Sequence, residues 1–487
     1  MGDQCPSNTG SASDVHLEIG RRTLGDIRKM RTCTRLALAL VELALFAFGC
    51  SSKSSPPASY FPHQDASIGT GTGGSRHRGS DASTCTAKSG YEQVATLDAD
   101  WLTDDANVAM VIDGDGNPMV VWEAFDQSVT TLYFRAYVQS TCTWLPAVSI
   151  DMVGKVSATQ DREVTMTRDA SNGQLGVAYQ VIDASDNRIL ILAQSGDNGA
   201  TWTKEIVVQN PPADTSKGVA RPTIAMKNGT TYFAYYQIYL YSTYGANSSS
   251  SSGFVLLTRT GSSGPFTSMN IPAVTGANLP GSEPLPPSLA IDDNGAAGLA
   301  YFVLTDTTGG NLQLNYFHTA RDKSVAVFDS QQRSNDVADV SLIFEGNSPR
   351  LAASLARANN DAGQDSTSSK IWFSSSDDGI IWSAPIELPT DGSDAMGPDV
   401  ALTARGNGTL SIASKYTSGG GVLRCGAPNI STGVGDGTIW ATCNPVPGTG
   451  KSFDRAGSYV QLAVQPSGKL IAAFAAERQG VWVWREP

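Results

Sequence analysis

One pattern of residues is written seven times along this chain, and that repetition restricts the fold more than any other feature. A short apolar strand, a turn of Gly, Asn or Asp, and a second strand of small and aromatic residues recur. The copies are VAMVIDGDGNPMVVWEA from Val108, VTMTRDASNGQLGVAYQ from Val164, PTIAMKNGTTYFAYYQ from Pro222 and PSLAIDDNGAAGLAYF from Pro287. They continue with VSLIFEGNSPRLAASLA from Val340, PDVALTARGNGTLSIASKY from Pro398 and YVQLAVQPSGKLIAAFAA from Tyr459. Successive starts lie roughly 53 to 65 residues apart, a spacing that suits a four-stranded unit with long loops.

Third and fourth strands follow within the copies, RILILAQS and TKEIVVQ in the second, KIWFSSS and APIELP in the fifth. The last copy stops after VWVWRE, one strand short, and a lone strand, YEQVATLD from Tyr91, precedes the first. If that strand completes the last unit, the two ends of the repeat region close a ring, and closure removes the open edges that make sheets aggregate. The expectation is an all-β chain: a seven-bladed β-propeller of four-stranded antiparallel blades over residues 85–487, closed by an N-terminal strand in the last blade. The 49 glycines and a charged fraction of only 16% fit many short strands and tight turns better than helices.

Two copies carry a sharper signal at the turn from third to fourth strand. One is SGDNGATW, with Ser195, Asp197, Gly199, Thr201 and Trp202; the other is SSDDGIIW, with Ser375, Asp377, Gly379 and Trp382. Both resemble the Asp-box (BNR) motif, S-x-D-x-G-x-T-W, of sialidases and many other propellers, and the second lacks the threonine. An aspartate in such a turn accepts backbone N–H bonds, glycine permits positive φ, and tryptophan packs between strands. In that family these turns sit on the rim away from the active site, so the resemblance implies a structural role for them. Sialidases also carry a Phe/Tyr-Arg-Ile-Pro motif, three arginines that grip the substrate carboxylate, a Tyr-Glu nucleophile pair and an acid/base aspartate. The nearest string here is Phe134-Arg135-Ala136-Tyr137, inside a predicted third strand and without Ile-Pro. The catalytic set therefore carries over to no position of this chain.

The amino-terminal segment reads as an address. Residues 36–48, LALALVELALFAF, follow Arg31 and Arg35 and form an apolar run of signal-peptide length, interrupted by Glu42. Phe48-Gly49-Cys50 and SSKSS come next. This resembles a bacterial lipoprotein signal with Ala47 where leucine is usual; Cys50 is then lipidated, the alternative being cleavage by ordinary signal peptidase. Residues 1–49 are thus a signal region whose true start could be Met30. Residues 50–84 are the lipidated cysteine and a disordered Ser/Gly/Pro tether, too poor in apolar residues to offset the entropy of ordering. The expected location is the bacterial cell envelope, with the membrane reached through the lipid anchor alone. The exported part keeps Cys85, Cys142, Cys425 and Cys443, an even number that favours two disulfides in an oxidising compartment. Cys425 and Cys443 fall on neighbouring predicted strands and form the firmer pair; Cys85–Cys142 follows by elimination, among three pairings that four cysteines allow.

A net charge of −12 argues against a nucleic-acid partner, which would select a basic face. Of four histidines only His318 lies in the repeat region, too few for a multi-imidazole zinc site, and a surface or edge position is expected for it. In propellers the connections from fourth to first strands and from second to third strands share one face around the channel. Here that face carries the long loops, including YQIYLYSTYGANSSSSSG with Tyr239 and Tyr241. Arg162 and Arg221 precede first strands and could grip one carboxylate or sulfate. Asp336, Asp339 and Asp399 stand at the same mouth, where Asp336 and Asp339 could serve as acid/base or as oxygen ligands for calcium; no other cofactor is expected. With the scaffold intact and the catalytic motifs missing, the reading is a monomeric, non-catalytic binding module for a glycan, polymer or envelope protein. The alternative is a diverged sialidase-type exo-glycosidase, for which Arg162, Arg221 and Arg455 with Glu283 would have to converge.

Overall fold

The computed structural model describes residues 89–96, 107–126, 129–152, 164–182, 188–209, 217–239, 253–271, 285–304, 311–333, 337–356, 370–388, 396–405, 408–416, 422–426, 444–445, 456–476 and 480–487. The signal region, Cys50 and the tether lie outside them.

Every regular element described is a strand. The first sheet runs Val108–Ile112, Pro118–Asp126 and Val129–Val138, with Thr143–Trp144 and Val148–Met152 both paired to the third strand. The second is Thr165–Arg168, Leu175–Ile182, Arg188–Ser195 and Thr203–Gln209, and the third is Lys217–Lys227, Thr230–Tyr239, Gly253–Thr260 and Thr267–Ile271. Ser288–Ile291, Ala297–Leu304, Asn311–His318 and Lys323–Arg333 make the fourth; Val337–Glu345, Ser348–Ala356, Lys370–Ser375 and Ile386–Glu387 make the fifth. The sixth joins Met396–Ala404, Leu410–Tyr416, Val422–Gly426 and Asn444–Pro445. In the last sheet Ala456–Val464, Leu470–Ala476 and Gly480–Arg485 are completed by Gly90–Ala95, with Gly90 opposite Arg485 and Tyr91 opposite Trp484.

Each sheet's first strand lies against the first strand of the next sheet, and that of the last sheet, Ala456–Val464, lies against Val108–Ile112. Antiparallel four-stranded blades arranged in this way define an all-β propeller. The closing strand is fixed from both sides. Glu92 takes a hydrogen bond from Arg485, and the carbonyl of Val94 takes one from Arg135 of the first sheet. The Arg485 guanidinium also stacks 4.2 Å above the Tyr137 ring.

The second strands explain why the copies read as unbroken apolar runs. Val120 and Trp122 face the last sheet, packing with Ile471 and Ala473. Their neighbours Met119 and Val121 face the second sheet, packing with Leu175 and Val177. A strand buried on both faces needs no polar alternation. Leu175, Val177, Phe233, Leu299, Leu410 and Leu470 are fully buried in the same way, each worth about 1.5–3 kcal/mol of transfer free energy.

On the face of the short first-to-second-strand turns, polar side chains join one blade to the next. Asp169 is fully buried; its Oδ1 accepts from the N–H and Oγ of Ser171 and from the N–H of Asn228, and its Oδ2 accepts from the Gly229 N–H at 2.6 Å. Lys227 Nζ donates to the Asp292 carbonyl at 2.9 Å and to Asp293 Oδ1 at 2.8 Å, and Gln465 Nε2 donates to the Gly116 carbonyl at 3.0 Å across the closure. Burial by itself would raise the pKa of Asp169, but the N–H bond from Gly229 and those from Ser171 and Asn228 hold it below the ordinary carboxylate value.

His318 is not at a surface or edge. It ends the third strand of the fourth sheet, 7% exposed, against Phe344 of the fifth. Alternation turns it into the seam between sheets, a direction that its flanking sequence does not reveal.

Asp169→Ala is expected to lower stability by about 3 kcal/mol, since it strands buried N–H donors. Because folding depresses the Asp169 pKa, its contribution is present above the unfolded value of about 4 and is lost as pH falls below it. Urea unfolding at neutral pH and near pH 3 measures both effects, and Asp169→Asn should show the shallower acid dependence.

Candidate functional site

The strand register places residues of the first, third, fifth and sixth sheets at one level near the loop-rich mouth. Val108 pairs with Trp122, Val340 with Ala353 and Val400 with Ser414. Tyr235 holds the corresponding place in the third sheet, where a bulge between Ala220 and Thr223 interrupts the register. The residues immediately ahead of this level are Asn107, Arg221, Asp339 and Asp399. Three sequence candidates thus share one level of the scaffold, while Arg162, Asp336 and Tyr241 lie outside the described residues. Tyr239 ends the second strand of the third sheet.

These positions are not chemically equivalent. Asp339 accepts from its neighbour's N–H, Val340, through Oδ1 and from the Val400 N–H of the next sheet through Oδ2, both at 2.8 Å. It joins the fifth and sixth sheets at the mouth. Arg221 occupies the bulge with φ 57°, a left-handed conformation uncommon for a side chain of its size. Asp399 is half-buried beside the start of the sixth sheet's core strand.

Sequence reasoning missed the first sheet's contribution. Asn107 and Glu123 are 1% and 3% exposed; Asn107 Nδ2 donates to Glu123 Oε2 at 2.9 Å, and the Glu123 N–H donates to the Asn107 carbonyl at 3.2 Å. The amide oxygen Oδ1 of Asn107 is buried without a hydrogen-bond partner. So is Oε1 of Gln180, the residue of the second sheet at the register of Glu123. The available signal was a carboxylate inside the apolar run MVVWEAF. Glu123 pairs with Leu132, which pairs with Asp151, so both carboxylates share one face of the sheet. Asp151 is engaged in packing: its Oδ2 accepts from the buried Tyr179 hydroxyl at 2.7 Å and its Oδ1 binds Lys204 Nζ at 2.6 Å. Burial, then the bond to Asp151, raises the Tyr179 pKa, so that phenol stays protonated.

The rim turns lie on the opposite face. In the first, Asp197 Oδ1 accepts from the Ser195 hydroxyl at 2.7 Å and the Thr201 N–H at 2.9 Å, and Oδ2 accepts from the Thr201 hydroxyl at 2.6 Å. These Thr201 bonds lower its pKa. Gly199 has φ 86°, and a Cβ there would strike the Phe134 ring, against which Trp202 packs at 5.3 Å. In the second turn the corresponding clasp is made one residue on from Ser375 and Asp377: Ser376 Oγ accepts from the Gly379 N–H at 2.7 Å, and Asp378 Oδ1 accepts from the N–H groups of Ile380 and Ile381 at 2.8 and 2.9 Å. Asp377 instead lies 3.7 Å from the buried Arg350 guanidinium. Trp382 packs on Tyr316 at 5.0 Å, repeating the Trp202–Phe134 arrangement across another seam.

Cys142 is disulfide-bonded, with φ 51°. Cys425 lies in the third strand of the sixth sheet, opposite Ile412; Cys85 and Cys443 fall outside the described residues. No group of three or more His, Cys, Asp or Glu that could hold a metal occurs among the described residues.

The class defined by the fold is an all-β propeller, with Asn107, Arg221, Asp339 and Asp399 at one level of its mouth. No family model matches the chain, and no curated protein does. Solved structures similar to it include an α-L-arabinanase of Penicillium chrysogenum, with 14% identity over 81% of this chain and 97% of the other and a TM-score of 0.43. An ulvan lyase has 9% identity over 82% and 94%, with a TM-score of 0.49. A Hadza microbial sialidase has 14% identity over 64% and 63%, with a TM-score of 0.39. The expectation of a non-catalytic binding module is corrected here: the similar proteins are glycoside hydrolases and polysaccharide lyases. The absence of a known motif was too narrow a ground for excluding catalysis, because one scaffold accommodates many catalytic sets in its loops.

Asp339→Ala removes the acceptor of the Val400 N–H and is expected to cost about 2 kcal/mol in chemical denaturation. An unchanged denaturation midpoint would contradict its role as a latch between sheets.

Proposed function

We propose that this chain is a glycan-cleaving enzyme, a diverged exo-glycosidase of the sialidase type acting at the loop-rich mouth. The observation that carries the reading is the single level of the scaffold bearing Asn107, Arg221, Asp339 and Asp399, with the carboxyl of Glu123 held by the Asn107 amide. Glycosidic cleavage needs a carboxyl that can deliver a proton to the leaving oxygen. Glu123, buried at the mouth and held there by the Asn107 amide, is the carboxyl we assign to that work, and Arg221 is assigned to orienting a polar group of the substrate.

The ring is read as seven-bladed, supported by the sequence of sheets and by the contact of Ala456–Val464 with Val108–Ile112. The Asp-box kinship is supported by the Asp197 clasp. The propeller is proposed to be exported, held to the envelope by lipidated Cys50 and spaced from the membrane by residues 51–84. Cys142–Cys85 and Cys425–Cys443 are the proposed disulfides. The partner is a polysaccharide or oligosaccharide.

The test is turnover by the purified full chain of a fluorogenic sialoside, arabinobiose and ulvan, with products separated so that hydrolysis is distinguished from elimination. Hydrolysis of at least one substrate is expected, with Glu123→Gln slowing it by about 100-fold or more at an unchanged melting temperature. Turnover of none of the three by folded protein would sink the reading.

A further inference from the structure

His318 stands where the fourth and fifth sheets meet. Its Nε2 lies 3.3 Å from Asp292 Oδ2, and the Asp292 residue is 3% exposed. Tyr316 stacks on the imidazole at 6.1 Å, and Phe344, from the first strand of the fifth sheet, meets it edge-on at 6.0 Å. Asp292 is anchored in turn, since its Oδ1 accepts from the Ala296 N–H at 2.8 Å and its carbonyl accepts from Lys227 Nζ. A carboxylate fixed beside Nε2 selects the tautomer with its proton there. Nδ1 is buried and meets no hydrogen-bond partner.

The same register position elsewhere holds polar groups of settled charge. Gln194 stands there in the second sheet, accepting from Arg259 Nη2 at 3.2 Å, and Arg485 stands there in the last, bound to Glu92. His318 brings to its seam a group that titrates near neutrality. The charges around it are Asp292 from its own sheet, Arg321 and Asp322 from the turn that follows it, Lys227 and Asp293 across the neighbouring turns, and Asp378 from the rim turn of the fifth sheet, which Arg321 influences.

We propose that the seam between the fourth and fifth sheets is an acid-sensitive joint, packed around neutral His318 and loosened when the imidazole takes up a proton. Protonation adds a donor at Nδ1, where no acceptor waits, and puts a charge between the Tyr316 and Phe344 rings. Burial is the first cause holding the His318 pKa below its ordinary value; Asp292 pulls upward against it and Arg321 downward with it. For a base depressed in the folded state, the unfolded chain binds the proton more readily. Stability is therefore full above about pH 6.5 and declines as pH falls below it. The backbone bonds beside the joint, Asp293 N–H to the Gly346 carbonyl at 3.1 Å and Thr319 N–H to the Ala297 carbonyl at 2.9 Å, should open first.

The test compares the full chain with His318→Gln, which keeps a donor for Asp292 and cannot titrate. Denaturant midpoints are measured between pH 7.5 and 5, with amide exchange at Asp293 and Thr319 corrected for intrinsic rates. The expected result is a larger acid loss of stability in the wild type than in the variant, with faster exchange at both amides on acidification in the wild type alone. Parallel midpoints for the two proteins would overturn the joint. Should the variant not fold, an NMR titration of the wild-type imidazole decides: a midpoint below that of free histidine supports the proposal, and one at or above it refutes it.

Discussion

The inner strand of each described sheet is an edge with no further strand beyond it among the described residues, and the fold depends on how its N–H groups are satisfied. Side-chain oxygens of the preceding blade supply many of the acceptors. Thr167 Oγ1 accepts from the Met226 N–H, Ser288 Oγ from Leu342, Ser341 Oγ from Leu402 and Asp339 Oδ2 from Val400, at 2.8 to 3.2 Å. A short hydroxyl at alternate positions of the inner strand therefore does for the ring what a neighbouring strand does for an open sheet. It also sets the distance between blades, which fixes the space available to the apolar side chains of each seam.

That constraint divides the two faces. On the rim-turn face, tight Asp, Asn and Gly turns with latches such as Asp169 hold neighbouring blades together and leave little latitude for chemistry. At the loop-rich face Asp339 makes a latch of the same kind between the fifth and sixth sheets. A scaffold fixed at one face can carry variable loops at the other without losing its core, and polar residues costly to bury elsewhere can be gathered there. Glu123 interrupts the apolar run of its strand where it reaches the mouth, and Asn107 stands just ahead of the strand beside it.

Much of the fold was legible in the residues. Copies such as VAMVIDGDGNPMVVWEA fixed strand, turn and strand, and the missing last strand beside the lone YEQVATLD foretold the pairing of Tyr91 with Trp484. The site was less legible. Arg221, Asp339 and Asp399 could be picked as residues preceding inner strands, but whether a carboxylate is available for chemistry depends on partners remote in sequence. Asp339 meets the N–H of Val400, and Asp151 meets Tyr179 and Lys204. In the second rim turn, motif spacing pointed to Ser375 and Asp377, whereas the backbone selected Ser376 and Asp378 to hold its N–H groups.

By itself the sequence determined the elements and the closure, because strand period, turn chemistry and repeat length act locally along the chain. Only the tertiary structure decided which face of each strand met which neighbour. Adjacent residues on a doubly buried strand, such as Val120 and Val121, are alike in character yet serve opposite seams. That choice sent His318 into a seam and brought Asn107 against Glu123, since both depend on the alternation of side chains relative to a neighbouring sheet, a relation that exists only once the ring has closed.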